Sequence, residues 1–257
     1  MVKLFRLVVM IGLVIFSVCV NAEETTAPVT VVNQQDPYES FNRVMYKFND
    51  FLDRAIVKPV TRVYITVLPK PITKSVSNFF SNLNNIPTII NDVLQGNFYQ
   101  ATSDTWRLGI NTTIGILGLF DVASHMGLES NSEDFGLTLA HWGYNNSNYL
   151  VLPFFGPSTI RDGLGIPVTY YMSVYPYIDN DKISYGLYGV GVVDKRSQLL
   201  DYDNVMQQAA IDRYAFMRNA YMQRRNYLIQ RNKELNNPYL EKNVPAEKFS
   251  EQNLSLT

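Results

Sequence analysis

The stretch Thr73-Lys74-Ser75-Val76-Ser77-Asn78-Phe79-Phe80-Ser81-Asn82-Leu83-Asn84-Asn85-Ile86-Pro87-Thr88-Ile89-Ile90-Asn91-Asp92-Val93-Leu94-Gln95-Gly96 carries the pattern from which the fold is read. Val76, Phe79, Phe80 and Leu83 fall on one helical stripe. Around Pro87 a second stripe follows: Ile86, Ile89, Ile90, Val93 and Leu94 at i, i+3, i+4, i+7 and i+8. The polar side is Ser75, Ser77, Asn78, Ser81, Asn82 and Asn84. A solvated helix face is built from Lys and Glu. Ser and Asn, polar without charge, suit the wall of a polar passage better. Pro87 fits the first turn of a helix and Gly96 a left-handed C-terminal cap, so two short helices are expected.

Toward the N-terminus, Asp36-Pro37-Tyr38-Glu39 predicts a capped helix start, with Glu39 returning to the cap nitrogen. Phe41, Val44, Met45, Phe48, Leu52 and Ala55 then form one face, and Asn42, Arg43, Lys47, Asn49, Asp50 and Asp53 the other. Lys58-Pro59 predicts a break, and Pro69-Lys70-Pro71 a turn. Residues 23–35 read as a disordered leader. Residues 1–22 are a targeting segment: Lys3 and Arg6 precede an apolar run, Leu7 to Val20, too short to span a bilayer. Two processing readings compete. Val20-Asn21-Ala22 suits plain cleavage before Glu23, and Cys19, the sole cysteine, suits lipidation. Val18 stands where a lipidation signal takes a small residue, which favours cleavage after Ala22 and leaves a mature chain without disulfides.

Toward the C-terminus, Asn97 to Ile110 predicts a helix, and Ile114 to Asp121, with Gly115 and Gly118, a short buried or re-entrant piece. Glu133 to Gly165 crowds Phe135, Trp142, Tyr144, Tyr149, Phe154 and Phe155 among turn-forming glycines and prolines, with its charges at the ends. Rings beside turns suggest a wet–apolar boundary. Ile183 to Leu200 predicts a helix, and roughly Asp203 to Leu235 a long last one with an arginine-rich face. That face is either plainly solvated or placed against anionic head groups. Residues 236–257 read as a flexible tail.

Composition narrows the classes. In 257 residues only 18% are charged while 13% are aromatic, with 17 tyrosines; Tyr and Trp concentrate at membrane–water interfaces, although they also fill cores. A net charge of −1 without a concentrated basic run disfavours a nucleic-acid partner. His125 and His141 lack a second histidine at ligand spacing, so neither a metal site nor a cofactor is expected. Ser158 lacks the Gly-x-Ser-x-Gly context, and a hydrolase triad with His141 and Asp134 or Asp162 is a weak reading. The chain is read as one mostly helical domain over residues 36–235, not an enzyme.

Many ordered motifs resemble the VacJ/MlaA family. They are Asp36-Pro37-x-Glu39-x-Phe41-Asn42-Arg43, Val76 to Leu83, Asn91-Asp92-x-Leu94-Gln95-Gly96 and Asn111-Thr112-Thr113-x-Gly115. Asp121-x-Ala123, Asp134-Phe135-Gly136-x-Thr138-Leu139, Trp142-Gly143, Pro153, Gly156-Pro157-Ser158 and Arg161-Asp162 continue the series. Arg196-x-x-Leu199-Leu200-x-x-Asp203 and Tyr221-x-Gln223-Arg224 complete it.

The resemblance implies an all-α fold: a ring of short amphipathic helices lying in one leaflet around a central amphipathic channel, with a long C-terminal helix. It implies a Gram-negative outer-membrane protein at the periplasmic face. Its role would be to remove mislocalised phospholipid from the outer leaflet and pass it to a periplasmic lipid-carrier protein. A trimeric outer-membrane porin would be a partner. The family is usually lipid-anchored, which the context of Cys19 does not match well. On this reading Phe41, Phe48, Phe79, Phe80, Ile89, Ile90 and Val93 contact lipid, unless they serve plain interhelical packing. Asn78, Asn82, Asn111 and Thr113 line the channel, and Trp142, Tyr144 and Tyr149 form its lip. The competing readings are a soluble periplasmic scaffold or binding protein and a phospholipid hydrolase.

Overall fold

The computed structural model describes residues 36–203 and 212–235. The targeting segment with Cys19, the leader, the tail and positions 204–211 of the expected last helix lie outside the described residues. Within them the chain is helical apart from one small hairpin.

Helix α1 (Glu39–Leu52) does not stop at Lys58-Pro59 as the sequence predicts. It passes through a π-helical turn, Asp53–Val57, straight into α2 (Lys58–Val67). The Lys58 amide donates to the carbonyl of Asp53, five residues back. Proline has no N–H and its ring clashes with the carbonyl four residues earlier; widening the turn just before Pro59 relieves this without ending the helix. Asp36 is no helix cap either, since Tyr38 precedes the first turn and makes no side-chain bond there. The Asp36 carboxylate is buried instead, accepting from Asn42 Nδ2 at 2.8 Å, from the Tyr214 hydroxyl and from Arg218 Nη1 at 3.3 Å.

The two helices expected to meet at Pro87 are one, α3 (Lys70–Leu94). Asn85, Thr88, Asn91 and Asp92, flanking the proline, are all buried, so tertiary packing overrides the local break. The expected cap at Gly96 is present. With φ +75° it lets the Gly96 amide reach Val93 and the Asn97 amide reach Asp92, two bonds that satisfy the last carbonyls of α3. Helix α4 (Phe98–Thr113) returns along α3, capped by Asn97, and α5 (Val122–His125) and α6 (Phe135–His141) are capped by Asp121 and Asp134.

The boundary segment contains the hairpin: β1 (Tyr149–Leu152) and β2 (Gly156–Thr159), antiparallel, with Tyr149 opposite Thr159 and Leu152 opposite Gly156. The outer edge of β1 is closed by side chains of α1. Asn42 bonds the Tyr149 carbonyl (3.2 Å) and the Val151 amide (2.8 Å). Asn49, two turns on, bonds the Leu152 carbonyl (2.9 Å) and the Phe154 amide (2.8 Å). Seven residues on a helix and a strand's open edge match in spacing, so two amides stand in for a third strand.

Helices α7 (Ile160–Met172) and α8 (Asp181–Ser197) follow, with a 3₁₀ turn, Tyr175–Tyr177, between them; α8 packs on α2 and α3. The last helix, α9 (Arg213–Leu235), crosses β2 and α6. A small apolar core of Met45, Tyr149, Val151 and Tyr214 sits between α1, the hairpin and α9.

Candidate lipid-contact surface and polar interior

Helix α4 shows the arrangement in one element. Its stripe Asp104, Arg107 and Asn111 is buried, whereas Tyr99 is 82% and Trp106 64% exposed, with Phe98 beside them. Charge faces in and rings face out. Among the described residues the same inversion holds generally: buried polar and charged side chains outnumber buried apolar ones by more than two to one. Large apolar side chains stand exposed on α2 (Val60, Val63, Val67), on α8 (Ile183, Tyr188, Val190) and around the turn after α4 (Ile114, Ile116, Leu117, Phe120). In an aqueous fold contiguous surfaces of this kind mark an interaction face. No helix among the described residues is long and apolar enough to cross a membrane.

The interior is held by hydrogen bonds. Between α3, α4 and α5, Asn85 Nδ2 donates to the Asp104 carbonyl (2.7 Å) and Asn82 Nδ2 to Thr112 Oγ1 (3.0 Å). Arg107 and Asn111 both donate to Asp121 Oδ1, at 3.1 and 3.0 Å. Burial would raise the Asp121 carboxyl, but Ser124, Asn111 and Arg107 together hold it below the usual carboxylate range. Asn78, Ser81, Asn82, Asn85, Arg107, Asn111, Asp121 and Ser130 line a cavity of about 20 Å³ in this seam. That is room for about one water, not a lipid head group.

Helix α9 acts as a strap across the inverted layer. Arg225 bonds Asp134 (2.5 Å) and Asp162 (2.7 Å), and the Tyr221 hydroxyl donates to Asp162 at 2.8 Å. Arg161, 2% exposed, donates twice to Asp162 at 2.9 Å and also reaches the carbonyls of Tyr144 and Asn145. Burial opposes ionisation of Asp162, but Arg225 and Arg161 overcome it and the carboxyl sits below its ordinary range. A turn further, Arg231 and Asn232 each bond Glu133 at 2.7 Å, and Gln95 joins Glu133 to Thr138.

The residues singled out in the sequence divide. Asn78, Asn82 and Asn111 come together around the small cavity, while Thr113 is exposed and bonded back to Gly109. Val93 is exposed; Phe41, Phe48, Phe79, Ile89 and Ile90 are half-buried, with Phe48 edge-on to Phe154. Phe80 does not reach the outer surface. It is 6% exposed and packs on α8, where a β-carbon at Gly191 would lie 3.1 Å from its ring. Trp142 and Tyr144 are exposed, Trp142 donating to the Leu94 carbonyl at 3.1 Å. Tyr149 forms no lip: it is fully buried, edge-on to Tyr214 and Tyr221, because alternation along β1 turns it inward. Ile114 to Phe120, expected to be buried or re-entrant, shows its side chains at the surface. Sequence reading also missed the outer face of α4; the signal was there, in Trp106 lying opposite Asp104 and Arg107 on a helical wheel. The weak hydrolase reading finds no assembled triad, since Ser158 donates to the Thr159 carbonyl and Asp134 and Asp162 are both taken by Arg225.

Comparison with known proteins supplies the relationship. Residues 34–228 match the family model described as MlaA lipoprotein. An Escherichia coli (strain K12) protein named intermembrane phospholipid transport system lipoprotein MlaA is 35% identical over 199 residues, 76% of this chain and 78% of that protein. A protein of the same name from Haemophilus influenzae is 32% identical over 212 residues, covering 80% and 82%. A chain solved in work on the structural basis for maintenance of bacterial outer membrane lipid asymmetry superposes with a TM-score of 0.67 at 33% identity. The match covers 76% of this chain and 100% of that one. The described residues form a mostly helical fold in which no helix is long and apolar enough to cross a membrane, and the chain belongs to the MlaA lipoprotein family.

Proposed function

We propose that this protein rests with its apolar outer faces in one leaflet of the outer membrane and, without bond chemistry of its own, moves phospholipid between that membrane and a soluble periplasmic carrier. The direction proposed is removal of mislocalised phospholipid from the outer leaflet, which preserves lipid asymmetry. A trimeric porin is the proposed membrane partner. The relatives' names and the study of the solved relative support the lipid-asymmetry role.

The observation that carries the membrane seat is the inversion of α4, with Asp104 and Arg107 inside and Tyr99 and Trp106 outside. Fully burying one large apolar side chain contributes about 1.5–3 kcal/mol, so a handful of such residues exceeds the marginal binding of one acyl anchor. The helices satisfy their own backbone groups, which a leaflet requires. Head groups would pass along the polar seam of Asn78, Asn82 and Asn111 while acyl chains stay in hydrocarbon. At about 20 Å³ the cavity must widen for this, with α4 and the turn after it as the movable wall.

The test is fractionation and complementation. Tyr99→Glu with Trp106→Glu, both facing outward, should leave the fold intact, release the protein from outer-membrane fractions and abolish rescue of detergent sensitivity. Recovery of the wild-type protein in osmotic-shock fluid without detergent would instead show a soluble periplasmic scaffold.

A further inference from the structure

Two buried carboxyl groups take no part in the ion pairs described so far. Asp92 on α3 and Asp104 on α4 are 1% and 0% exposed and face one another across the seam between the two helices. Each has one oxygen served by an amide: Asp104 Oδ2 accepts from Gln100 Nε2 at 2.9 Å, and Asp92 Oδ1 from Asn131 Nδ2 at 3.4 Å. The other oxygens, Asp92 Oδ2 and Asp104 Oδ1, are buried without a hydrogen-bond partner, although the Asn131 amide also faces the Asp104 carboxyl.

The groups around them do not neutralise two negative charges. Arg107, from α4, spends its N–H groups on Ser124, the Leu128 carbonyl and Asp121. Arg231, from α9, is committed to Asn131 and Glu133. Glu133, from the segment before α6, adds a further buried carboxyl on the same side. Two adjacent carboxylates in a low-dielectric seam cannot both ionise.

We infer that Asp92 and Asp104 are a proton-binding site, in which a single proton held between Asp92 Oδ2 and Asp104 Oδ1 joins α3 to α4. The proton is covalently bound to one carboxyl and donated to the other, so both orphaned oxygens are satisfied at once. On deprotonation it leaves to solvent and two like charges face each other, which loosens the seam beside the small polar cavity. Burial, then Glu133 and Asp104, push Asp92 up to about 8; burial also raises Asp104 and Glu133.

The sign follows from linkage. The unfolded carboxyl ionises near 3.8, the folded one near 8, so the fold holds more protons than the unfolded chain between those values. The stability conferred is complete below the unfolded value and is lost as pH rises through the folded one.

Infrared difference spectroscopy on the full-length protein in detergent, with ¹³C-labelled aspartate, tests this directly. The wild type is expected to show a protonated aspartic-acid carbonyl band at neutral pH that disappears as pH is raised past about 8. Asp92→Asn or Asp104→Asn should remove that band at neutral pH and flatten the decline in thermal stability between the unfolded value of 3.8 and about 8, because an amide donates to the remaining carboxylate at every pH. Absence of a protonated aspartic-acid band in the wild type at neutral pH overturns the inference, as does a band that persists unchanged in both folded variants. The wild-type spectrum decides the matter even if a variant fails to fold.

Discussion

Asn42 and Arg225 show how single polar side chains hold an inverted interior. Asn42 is fully buried and uses its one amide to bond the Asp36 carboxylate and both backbone groups at the edge of β1. Asn42→Leu leaves a buried carbonyl and a buried N–H unpaired, at about 1–3 kcal/mol each, and should lower the unfolding temperature measured by circular dichroism in detergent. Arg225→Met removes one of the two arginines that hold Asp162, which keeps Arg161 and Tyr221, and frees the partly exposed Asp134; it should cost about 1–3 kcal/mol, read by the same melt. Asp162 also sets an acid limit. Its carboxyl is held low by Arg225 and Arg161 against burial, so its contribution is complete above the unfolded value of 3.8 and disappears as pH falls through its lower folded value. Asp162→Asn should therefore be less stable than wild type at neutral pH and equal to it in strong acid; a constant difference across that range would contradict the pairing. None of these partners was legible beforehand. Asp36 has the sequence context of a helix cap, and a bond from Asn42 to residues 107 and 109 positions away leaves no mark in local periodicity.

At the scale of elements, the helices were legible from their stripes and the junctions were not. The apolar rows of α3, the Gly96 cap and the presence of α4, α8 and α9 follow from spacing and cap chemistry. Lys58-Pro59 predicts a break and Pro87 the start of a new helix, yet both prolines lie within continuous helical runs, because a π turn absorbs the first and buried neighbours outweigh the second. The turn after α4 is the least predictable piece. Ile116 and Leu117 have φ of +51° and +57°, a region disfavoured for residues with a β-carbon, and Gly118 follows at +88°. A β-carbon at Gly118 would also lie 2.6 Å from the Asn82 β-carbon. Gly118→Ala should therefore displace the turn from the cavity wall and cost about 1–3 kcal/mol, visible as a lower melting temperature and faster proteolysis between α4 and α5. A wild-type melt and wild-type proteolysis would show that Asn82 yields without strain.

For the molecule as a whole, the informative signal in the sequence was what stood opposite the apolar rows. Ser and Asn there suit the wall of a polar passage; the structure has buried polar side chains around a cavity of about 20 Å³ and exposed apolar ones outside. Which apolar residues lie outside was only partly legible, because a stripe does not say whether it faces a neighbour or the surroundings: Val93 is outside, Phe80 inside. The account rests on the outer rings of α4 meeting hydrocarbon. Spin labels placed singly at Tyr99→Cys, Trp106→Cys and Leu117→Cys in the reconstituted protein test it most directly, through paramagnetic relaxation by oxygen, which enters lipid, and by a water-soluble nickel chelate. The account predicts strong oxygen and weak nickel accessibility at all three positions. Nickel accessibility as high as that of a free label in water would contradict it.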